Sequence, residues 1–474
     1  MKSCPYCNNI IEEDYPYCPN CNKPLISNLE KVTQRGFEST YYETEFYPLE
    51  GKEEYEIYDA TIIKDEEIEH EIQKIESLLE RKEILGEPIP GSLLLEKSGL
   101  YYKIRDLPNA LKNLEMALKN FEDANDILNV AICHNEIGFI QEDTGFFDQA
   151  IYHFNRSLEI LKELEENQKI IKVLNNLGNI YYSIKDLEHS YKFYQEALDL
   201  SKQEKLLFEE IKTSSNLIEV LYLLKDYERI KRILARNTEF FNQNEDLYGM
   251  IQVNIKYGKL YYLIGEDYDL ASERLNDALQ LIDRVSEHLS LYMKAKLEWE
   301  CFLYLGKIYL LWDRLVDAES SYLKSLEAVR IFEIGENIYE GEILENLAEV
   351  FEIKGDINKA VEYYLLSYEI YYKFGDNEKC AQIKFKIGEI YSNSKNDILD
   401  SIKYFEEALV LYENLHYTKE TAETLKKLGD IYIKNNMFDL ALENFEKARD
   451  YYKELQDDDN MNLILEKIKS LNNF

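Results

Sequence analysis

The sequence predicts an all-α fold, a superhelical solenoid of about nine helical hairpins, with a small metal-binding module at its N-terminus. The first observation is that no proline follows Pro108 in a chain of 474 residues, and helix interiors exclude proline because it lacks a backbone donor. The second is that this stretch is rich in Leu, Ile, Glu, Lys and Ala at helical spacing. The third is a repeat of about 40 residues, which is typical of stacked helical hairpins.

A small residue marks the same position in almost every repeat. A second small residue, such as Ala150 or Ser190, follows twelve or thirteen positions later, and a large side chain, such as Phe154 or Tyr194, stands four positions after that. Small residues let two antiparallel helices approach closely, and large side chains fill the space beside them. We therefore expect each repeat to be one hairpin. The nine marking positions are Ser98, Gly138, Gly178, Ile218, Gly258, Gly306, Ala348, Gly388 and Gly429.

Turn-forming residues lie between the two small positions and predict where each hairpin turns. The fourth repeat has Ile218 in place of a small residue, so we expect it to pack irregularly. The step from Gly258 to Gly306 is 48 residues and predicts longer helices around residues 283–299. The turn signals are Gly145, Lys185-Asp186, Lys225-Asp226, Gly265, Gly355-Asp356 and Asn435-Asn436.

The segment from Asn176 to Tyr182, with the sequence NLGNIYY, is followed by Ser190, Tyr194 and Ala197. This pattern resembles the tetratricopeptide repeat, and the resemblance covers residues 91–456. The family's common period is about 34 residues, and its usual proline is absent here. Repeats of 40 residues resemble the variant in kinesin light chains, LGN-type polarity adaptors and bacterial peptide-sensing regulators. The resemblance implies a right-handed superhelix that binds a protein or peptide.

Two Cys-x-x-Cys pairs, Cys4 with Cys7 and Cys18 with Cys21, open the chain. Each pair can direct two thiolates to one point, and four thiolates complete the tetrahedron that selects Zn²⁺. We predict one structural Zn²⁺ at these four residues, in a module that resembles short zinc ribbons. The alternative is a pair of redox dithiols or a disulfide, which normally occurs in a strand–helix context that is missing here.

These patterns divide the chain into five predicted segments. They are a zinc ribbon at 1–26, an acidic and aromatic-rich linker at 27–61, an N-terminal helix at 62–90, the tetratricopeptide solenoid at 91–456 and a C-terminal capping helix at 457–474. A cap is expected because the last hairpin of an array exposes an apolar face. The predicted repeats start near residues 91, 131, 171, 211, 251, 299, 341, 381 and 422.

The net charge of −36 argues against binding to nucleic acid or anionic lipid, since both need a basic surface. No run of 18 apolar residues predicts a membrane span, and the N-terminus lacks the features of a secretion signal. Seven cysteines are too few for a disulfide framework in a chain of this length, so we expect a cytoplasmic protein. No phosphate-binding loop, metalloprotease helix or nucleophile elbow appears. We therefore predict that the protein is not an enzyme.

Four positions in the first helix of each repeat should face the concave groove of the solenoid. In the third repeat these include Lys172, Asn175, Asn179 and Tyr182, and the next two repeats add Lys212 and Lys259. Asparagine can bind a peptide backbone through both its donor and its acceptor, and lysine favours ligand carboxylates. We predict that these six residues bind a peptide or protein segment. The alternative is a solvated polar face, and the groove should become acidic at Glu342, Glu345, Glu349 and Glu352.

The sequence thus predicts an interaction scaffold with an unidentified protein or peptide partner. A second hypothesis is a regulatory tetratricopeptide protein, either peptide-sensing or transcription-associated, and a third is association with nucleic acid through the zinc ribbon. Residues 38–69 contain twelve acidic and six aromatic side chains against Lys52 and Lys64. They are either a solvated tether or a segment of the chain that docks in its own groove.

Overall fold

The computed structural model describes residues 2–3, 10–11, 65–289, 291–332, 337–393 and 398–471. Apart from two short strands, β1 (Lys2–Ser3) and β2 (Ile10–Ile11), and one 3₁₀ turn, its regular elements are α-helices. The prediction of an all-α repeat solenoid is confirmed over these residues. The helices are α1 (Asp65–Ile84), α2 (Gly91–Lys103), α3 (Leu107–Asp123), α4 (Ile127–Asp143), α5 (Phe147–Glu163), α6 (Asn167–Ser183), α7 (Leu187–Gln203), α8 (Leu207–Leu223), α9 (Tyr227–Gln243), α10 (Leu247–Ile264), α11 (Tyr268–Val285), α12 (Leu291–Leu311), α13 (Leu315–Phe332), α14 (Ile338–Ile353), α15 (Ile357–Lys373), α16 (Asn377–Ser392), α17 (Ile398–Asn414), α18 (Thr418–Lys434), α19 (Phe438–Glu454) and α20 (Asp458–Leu471).

The 40-residue period has a simple origin in the turns. Most helices are 17 residues long, and three residues separate most helices from the next. After α3, for example, Asn125 has a φ of 55°, its amide donates to the Glu122 carbonyl at 3.0 Å, and the Asp126 amide donates to the Phe121 carbonyl at 2.9 Å. This is the Schellman ending of a helix. Asp126 also caps α4 by accepting from the Asn129 amide at 3.3 Å, so one three-residue turn ends one helix and starts the next.

The first helices begin at residues 91, 127, 167, 207, 247, 291, 338, 377 and 418. Except for the first, they begin three to eight residues before the starts expected from the sequence. The expected starts were counted from the small residue of each repeat. In the structure, the capping turns determine where the helices begin, and these turns lie further upstream. The extra residues of the long step lie in α12, which has 21 residues, and in the 3₁₀ turn Ser286–His288 before it.

In the six hairpins whose marking residue is glycine, this glycine lies against the large side chain of the second helix, as expected. A Cβ atom added to Gly178 would lie 2.6 Å from the ring of Tyr194, and one added to Gly429 would lie 2.5 Å from the ring of Phe445. The absence of a side chain therefore allows the aromatic ring of the second helix to rest on the backbone of the first. In the fourth hairpin Ile218 is buried, and α8 and α9 approach less closely than the helices of the neighbouring hairpins.

The chain forms two compact bodies, Met1–Lys294 and Ala295–Phe474. In the N-terminal body, α1 packs on α2, where Lys97 and the Tyr101 hydroxyl both contact Glu76. In the C-terminal body, α20 packs on α19 and buries Ile464 and Ile468. None of the helices in the described part of the chain is both long and apolar enough to cross a bilayer.

Candidate functional site

The first helices of successive hairpins lie side by side in the N-terminal body. There α4 approaches α6, and α6 approaches α8, more closely than any second helix approaches the next second helix. The array in this body therefore curves with its first helices on the inner side. We call this side the inner face. It carries the predicted groove residues.

Asn175 is buried in the inner face, with 5% of its surface exposed. Its Nδ2 donates to the Ile171 carbonyl at 3.0 Å and to Thr213 Oγ1 on α8 at 2.9 Å. Next to it, Asn176 Nδ2 donates to Asn135 Oδ1 on α4 at 2.9 Å. Both amide hydrogens of Asn175 are thus used within the fold. Its binding to a ligand stays a prediction.

Asn179 differs from Asn175 in one respect. Its Oδ1 accepts a hydrogen bond from the Tyr194 hydroxyl at 2.5 Å, but its Nδ2 has no hydrogen-bond partner among the residues that the structure describes. The side chain is 6% exposed and is therefore held in place by α7. Asn179 keeps two donor hydrogens that a carbonyl of a ligand could accept. Tyr182, one turn further along α6, is half-buried.

Lys259 lies in an ion-pair cluster with Glu219 and Lys256. Its Nζ is 3.2 Å from Glu219 Oε2 and 4.7 Å from the centre of the Tyr222 ring. Lys256 pairs with the other oxygen of Glu219. Burial alone would raise the pKa of Glu219, but the two ammonium groups outweigh it and lower the pKa to about 2. The charge of Lys259 is therefore compensated within the fold.

Lys172 and Lys212 occupy equivalent positions at the start of α6 and α8. Lys172 is exposed, and Lys212 is half-buried. Within the described ranges neither side chain has an ion-pair or hydrogen-bond partner. Two lysines on neighbouring first helices are therefore without an ion-pair partner in the described part of the chain, although the whole chain carries a net charge of −36.

The C-terminal end of α4 brings buried acidic groups to the inner face. Glu142 is 8% exposed and Asp143 is 2% exposed. Asp143 Oδ2 accepts from the Tyr102 hydroxyl at 2.9 Å and from Arg105 at 2.8 Å. We did not expect a functional role for these residues from the sequence, although Glu142 occupies the groove-facing position that Tyr182 has in the next repeat.

The C-terminal body does not have the uncompensated acidic stripe that the sequence suggested. Three of its four glutamates form ion pairs with lysines on the neighbouring first helices. The fourth, Glu349, is exposed. Partial desolvation of its carboxyl group and the nearby carboxylates raise the pKa of Glu349. Such partly exposed pairs contribute about 0.2–1 kcal/mol each. The pairs are Lys307 with Glu342 at 2.6 Å, Lys379 with Glu345 at 2.9 Å and Lys386 with Glu352 at 3.2 Å.

Two histidines that are distant in sequence meet across the second hairpin. His134 Nδ1 on α4 and His153 Nδ1 on α5 are 2.8 Å apart, so one ring donates a hydrogen bond and the other accepts it. Burial, with the neighbouring His134, lowers the pKa of His153 to about 4. Burial also lowers the pKa of His134. Both rings are therefore neutral at physiological pH.

The three cysteines in the described part of the array are free and buried. Burial raises the pKa of the Cys133 and Cys380 thiols to about 12 and about 11, and burial raises the pKa of Cys301 well above its usual range. Thiols of this kind are poor nucleophiles. All three side chains pack in the core.

The predicted zinc ligands, Cys4, Cys7, Cys18 and Cys21, lie outside the described residues. The strands β1 and β2 pair in antiparallel fashion, with Lys2 opposite Ile11 and Ser3 opposite Ile10. They thus flank the segment of residues 4–9 that contains the first cysteine pair. In the described part of the chain no group of three His, Cys, Asp or Glu side chains could hold a metal ion.

Residues 129–203 match the family profile described as tetratricopeptide repeat. These residues span α4 to α7, the two hairpins with the Gly138–Phe154 and Gly178–Tyr194 contacts. These hairpins are tetratricopeptide-type repeats. A second profile, described as soluble NSF attachment protein (SNAP), matches residues 318–456 of the array.

Two solved structures are similar to the helical array as a fold. One is a signal transduction ATPase with numerous domains and a tetratricopeptide repeat sensor from Pyrococcus horikoshii, with a TM-score of 0.54, 16% identity, and coverage of 79% of this chain and 55% of that chain. The other is the apo form of the quorum sensor NprR from B. thuringiensis, with a TM-score of 0.51, 15% identity, and coverage of 76% of this chain and 99% of that chain. At these identities the similarity shows the fold alone.

Curated relatives match shorter stretches of this chain. The uncharacterized protein ycf37 of Pyropia yezoensis is 32% identical over 94 residues, which cover 19% of this chain and 49% of the relative. The photosystem I assembly protein Ycf3 of Prochlorococcus marinus (strain MIT 9301) is 34% identical over 73 residues, which cover 15% of this chain and 40% of the relative. This chain spans about half of these relatives or less.

Proposed function

We propose that the protein is a non-enzymatic interaction scaffold that binds an extended acidic peptide segment of a protein partner on its inner face. Lys172 and Lys212 carry this proposal, because they form a pair of uncompensated cations on neighbouring first helices. The next lysines along the face, Lys256 and Lys259, are compensated by Glu219. Lys172 and Lys212 are therefore available to pair with the carboxylates of a ligand.

The spacing of the two lysines favours an extended ligand. Neighbouring packed helices lie about 8–10 Å apart, and an extended chain rises about 3.3 Å per residue. Two acidic side chains three residues apart can therefore reach Lys172 and Lys212 together. Asn179 Nδ2 would donate to the ligand backbone beside them, whereas Asn175 supports the shape of the face.

Selection of peptides from a displayed library of random 12-residue sequences tests this proposal. On the wild-type protein we expect enrichment of peptides with two acidic residues about three positions apart. The variant Lys172→Glu with Lys212→Glu should lose this preference. The matched control is Lys192→Glu with Lys202→Glu, which makes the same charge change at exposed positions of α7 and should keep it. Enrichment without acidic residues would contradict the proposal.

The chain's own linker is the second source of such a ligand. We propose that acidic residues before α1 compete for the inner face, since residues 38–64 contain eight acidic side chains and are tethered at high effective concentration. Residues 38–64 lie outside the described residues. Residues 65–69, which the sequence grouped with them, belong to α1. Hydrogen exchange in residues 38–64 should accelerate in the Lys172→Glu and Lys212→Glu variant. Exchange that is equally fast in both proteins would leave the segment as a tether.

We also propose one structural Zn²⁺ at Cys4, Cys7, Cys18 and Cys21. The pairing of β1 with β2 supports it, because strands that flank a Cys-x-x-Cys pair are compatible with a ribbon module. Four thiolates would bind the metal without an open position for water. Elemental analysis should find one zinc per chain, and none in the Cys4→Ser and Cys18→Ser variant. Retention of zinc by that variant would contradict the assignment.

Peptide sensing in a regulator is the second candidate function, and the fold similarity to the quorum sensor NprR favours it. It differs from the first in that the ligand is a free peptide, whose binding changes the conformation of the array. Small-angle scattering with and without a selected peptide separates the two. We propose a cytoplasmic location for either function, on the basis of the free cysteines in the array.

A further inference from the structure

The C-terminal end of α4 contains two adjacent buried acidic residues. Gln141, Glu142 and Asp143 are its last three residues, and each has less than a tenth of its surface exposed. The C-terminus of a helix already carries partial negative charge, so carboxylates there are unfavourable and cations are favoured. Glu142 lies in the groove-facing row, one hairpin before Lys172.

The neighbouring groups do not provide hydrogen bonds or counter-charges for all the oxygen atoms of these three side chains. Arg105 and the Tyr102 hydroxyl both bind Asp143 Oδ2, while Asp143 Oδ1 is buried without a hydrogen-bond partner. Gln141 Oε1 is also buried without a partner, although its amide donates to Gln149 Oε1 at 3.1 Å. Over the described ranges, Glu142 has neither an ion pair nor a hydrogen bond. Arg105 therefore compensates one carboxyl group of two.

A buried carboxylate without a counter-charge is costly. Burial, together with the charge of Asp143, accordingly raises the pKa of Glu142 to about 8. Perturbed groups of this kind are concentrated at functional sites. A ligand that brings a positive charge to this place would relieve the cost, and it would gain a charge-assisted hydrogen bond.

We propose that Glu142 forms a subsite for a lysine or arginine side chain of the peptide that binds the inner face, and that the charge of the inaccessible Asp143 adds to the attraction. The inference rests on the proposed function and deepens it, because it assigns the ligand both charges. A cationic side chain fits better than a metal ion, since the described residues provide no group of three metal-ligating side chains. The acidic subsite and the lysine pair then fix the direction of the peptide along the face.

The distance between Glu142 and Lys172 predicts the spacing between the basic and the acidic residues of the peptide. Glu142 is four residues after the small position of its hairpin and Lys172 is six before that of the next. Ten residues of helix correspond to about 15 Å along the axis, and the step between helices adds about 8–10 Å sideways. The resulting separation of about 18 Å equals about five or six residues of extended chain. The basic residue should therefore lie about that far from the nearer acidic residue.

The same displayed library tests the subsite. Peptides selected on the wild-type protein should contain Lys or Arg at a fixed offset from the acidic pair. Peptides selected on Glu142→Gln should lack the basic residue and keep the acidic pair. Peptides selected on Lys172→Glu with Lys212→Glu should keep the basic residue and lack the acidic pair. The control is Glu163→Gln, an exposed position at the end of α5, which should behave as the wild type does.

Binding of one selected peptide completes the test. Replacing its basic residue by Ala should weaken binding to the wild type about tenfold and leave binding to Glu142→Gln unchanged. Equal losses on both proteins, or acidic peptides without a fixed basic residue, would overturn the subsite and leave the proposed function standing. If no peptide is enriched on the wild type, both the subsite and the proposed function are contradicted.

Discussion

Asn175 on α6 donates a hydrogen bond from Nδ2 to Oγ1 of Thr213 on α8, with a distance of 2.9 Å between the two atoms. On the other side of α6, Asn176 makes the equivalent link to Asn135 on α4. Side-chain amides thus join three successive first helices across the inner face. Because these groups are buried, their hydrogen bonds support both the stability and the shape of the site.

The variant Asn175→Ala should lower the free energy of unfolding by about 1–3 kcal/mol, because it removes the buried hydrogen bonds that Asn175 forms with Thr213 and the Asn216 amide. Chemical denaturation measures this change. The control is Asn242→Ala at an exposed position of α9, which should change stability by less than about 0.5 kcal/mol. Equal effects at the two positions would show that the inner-face amides are not structural.

The variant Gly178→Ala should destabilise the third hairpin by about 1–3 kcal/mol, since its new methyl group would overlap the Tyr194 ring. Gly99→Ala is the matched control, because a Cβ atom there meets nothing within 4 Å. In a helix that change should be neutral or stabilise by up to about 1 kcal/mol. Thermal unfolding compares them. A neutral Gly178→Ala would mean that the helices can separate without cost.

The pKa of Glu142 predicts an unusual pH dependence. Its folded value of about 8 lies above the ordinary value of 4.5, so the folded state binds more protons than the unfolded state between these limits. Stability should therefore fall as pH rises through this window. Relative to Glu142→Gln, the wild type should lose up to about 5 kcal/mol between pH 4.5 and 8.

Unfolding measured at several pH values tests this, with Glu163→Gln as the control that should follow the wild type. A constant difference between the wild type and Glu142→Gln across the window would show that the carboxyl group has its ordinary pKa.

The histidine pair predicts the opposite slope in acid. The folded pKa of His153 lies near 4, whereas an unfolded histidine titrates near about 6.5. The unfolded state thus takes up more protons in this window, so stability should fall as pH falls from about 6.5 towards 4. His153→Gln should reduce this loss in melting experiments, and His70→Gln on the exposed face of α1 should not. Parallel melting curves for all three proteins would contradict the assignment.

The hairpins could be predicted because the signals that form them are local. The Gly178 and Tyr194 positions are 16 residues apart and meet through a single three-residue turn. The same register could have predicted the histidine pair, since His153 directly precedes Phe154, which rests on Gly138. This register was used only for the small and large residues of the sequence, and the His–His contact was therefore not predicted.

The charges of the inner face could not be predicted in the same way. Lys259 is compensated by Glu219 on the preceding first helix, 40 residues away, and Glu345 is compensated by Lys379, 34 residues away. Each helix was considered separately in the sequence, so pairs between neighbouring first helices were not visible. Lys172 and Lys212 are the predicted groove lysines that form no ion pair with a described residue.

The central claim is that the inner face of the N-terminal body binds an acidic segment through Lys172 and Lys212. It is tested most directly by the dissociation constant of one selected acidic peptide, measured by fluorescence anisotropy for three proteins. Lys172→Glu with Lys212→Glu should weaken binding at least about tenfold, because two attractive contacts become repulsive. Lys192→Glu with Lys202→Glu should leave the constant within about twofold, since exposed charges beyond a Debye length are screened. Equal weakening by the two variants would contradict the account.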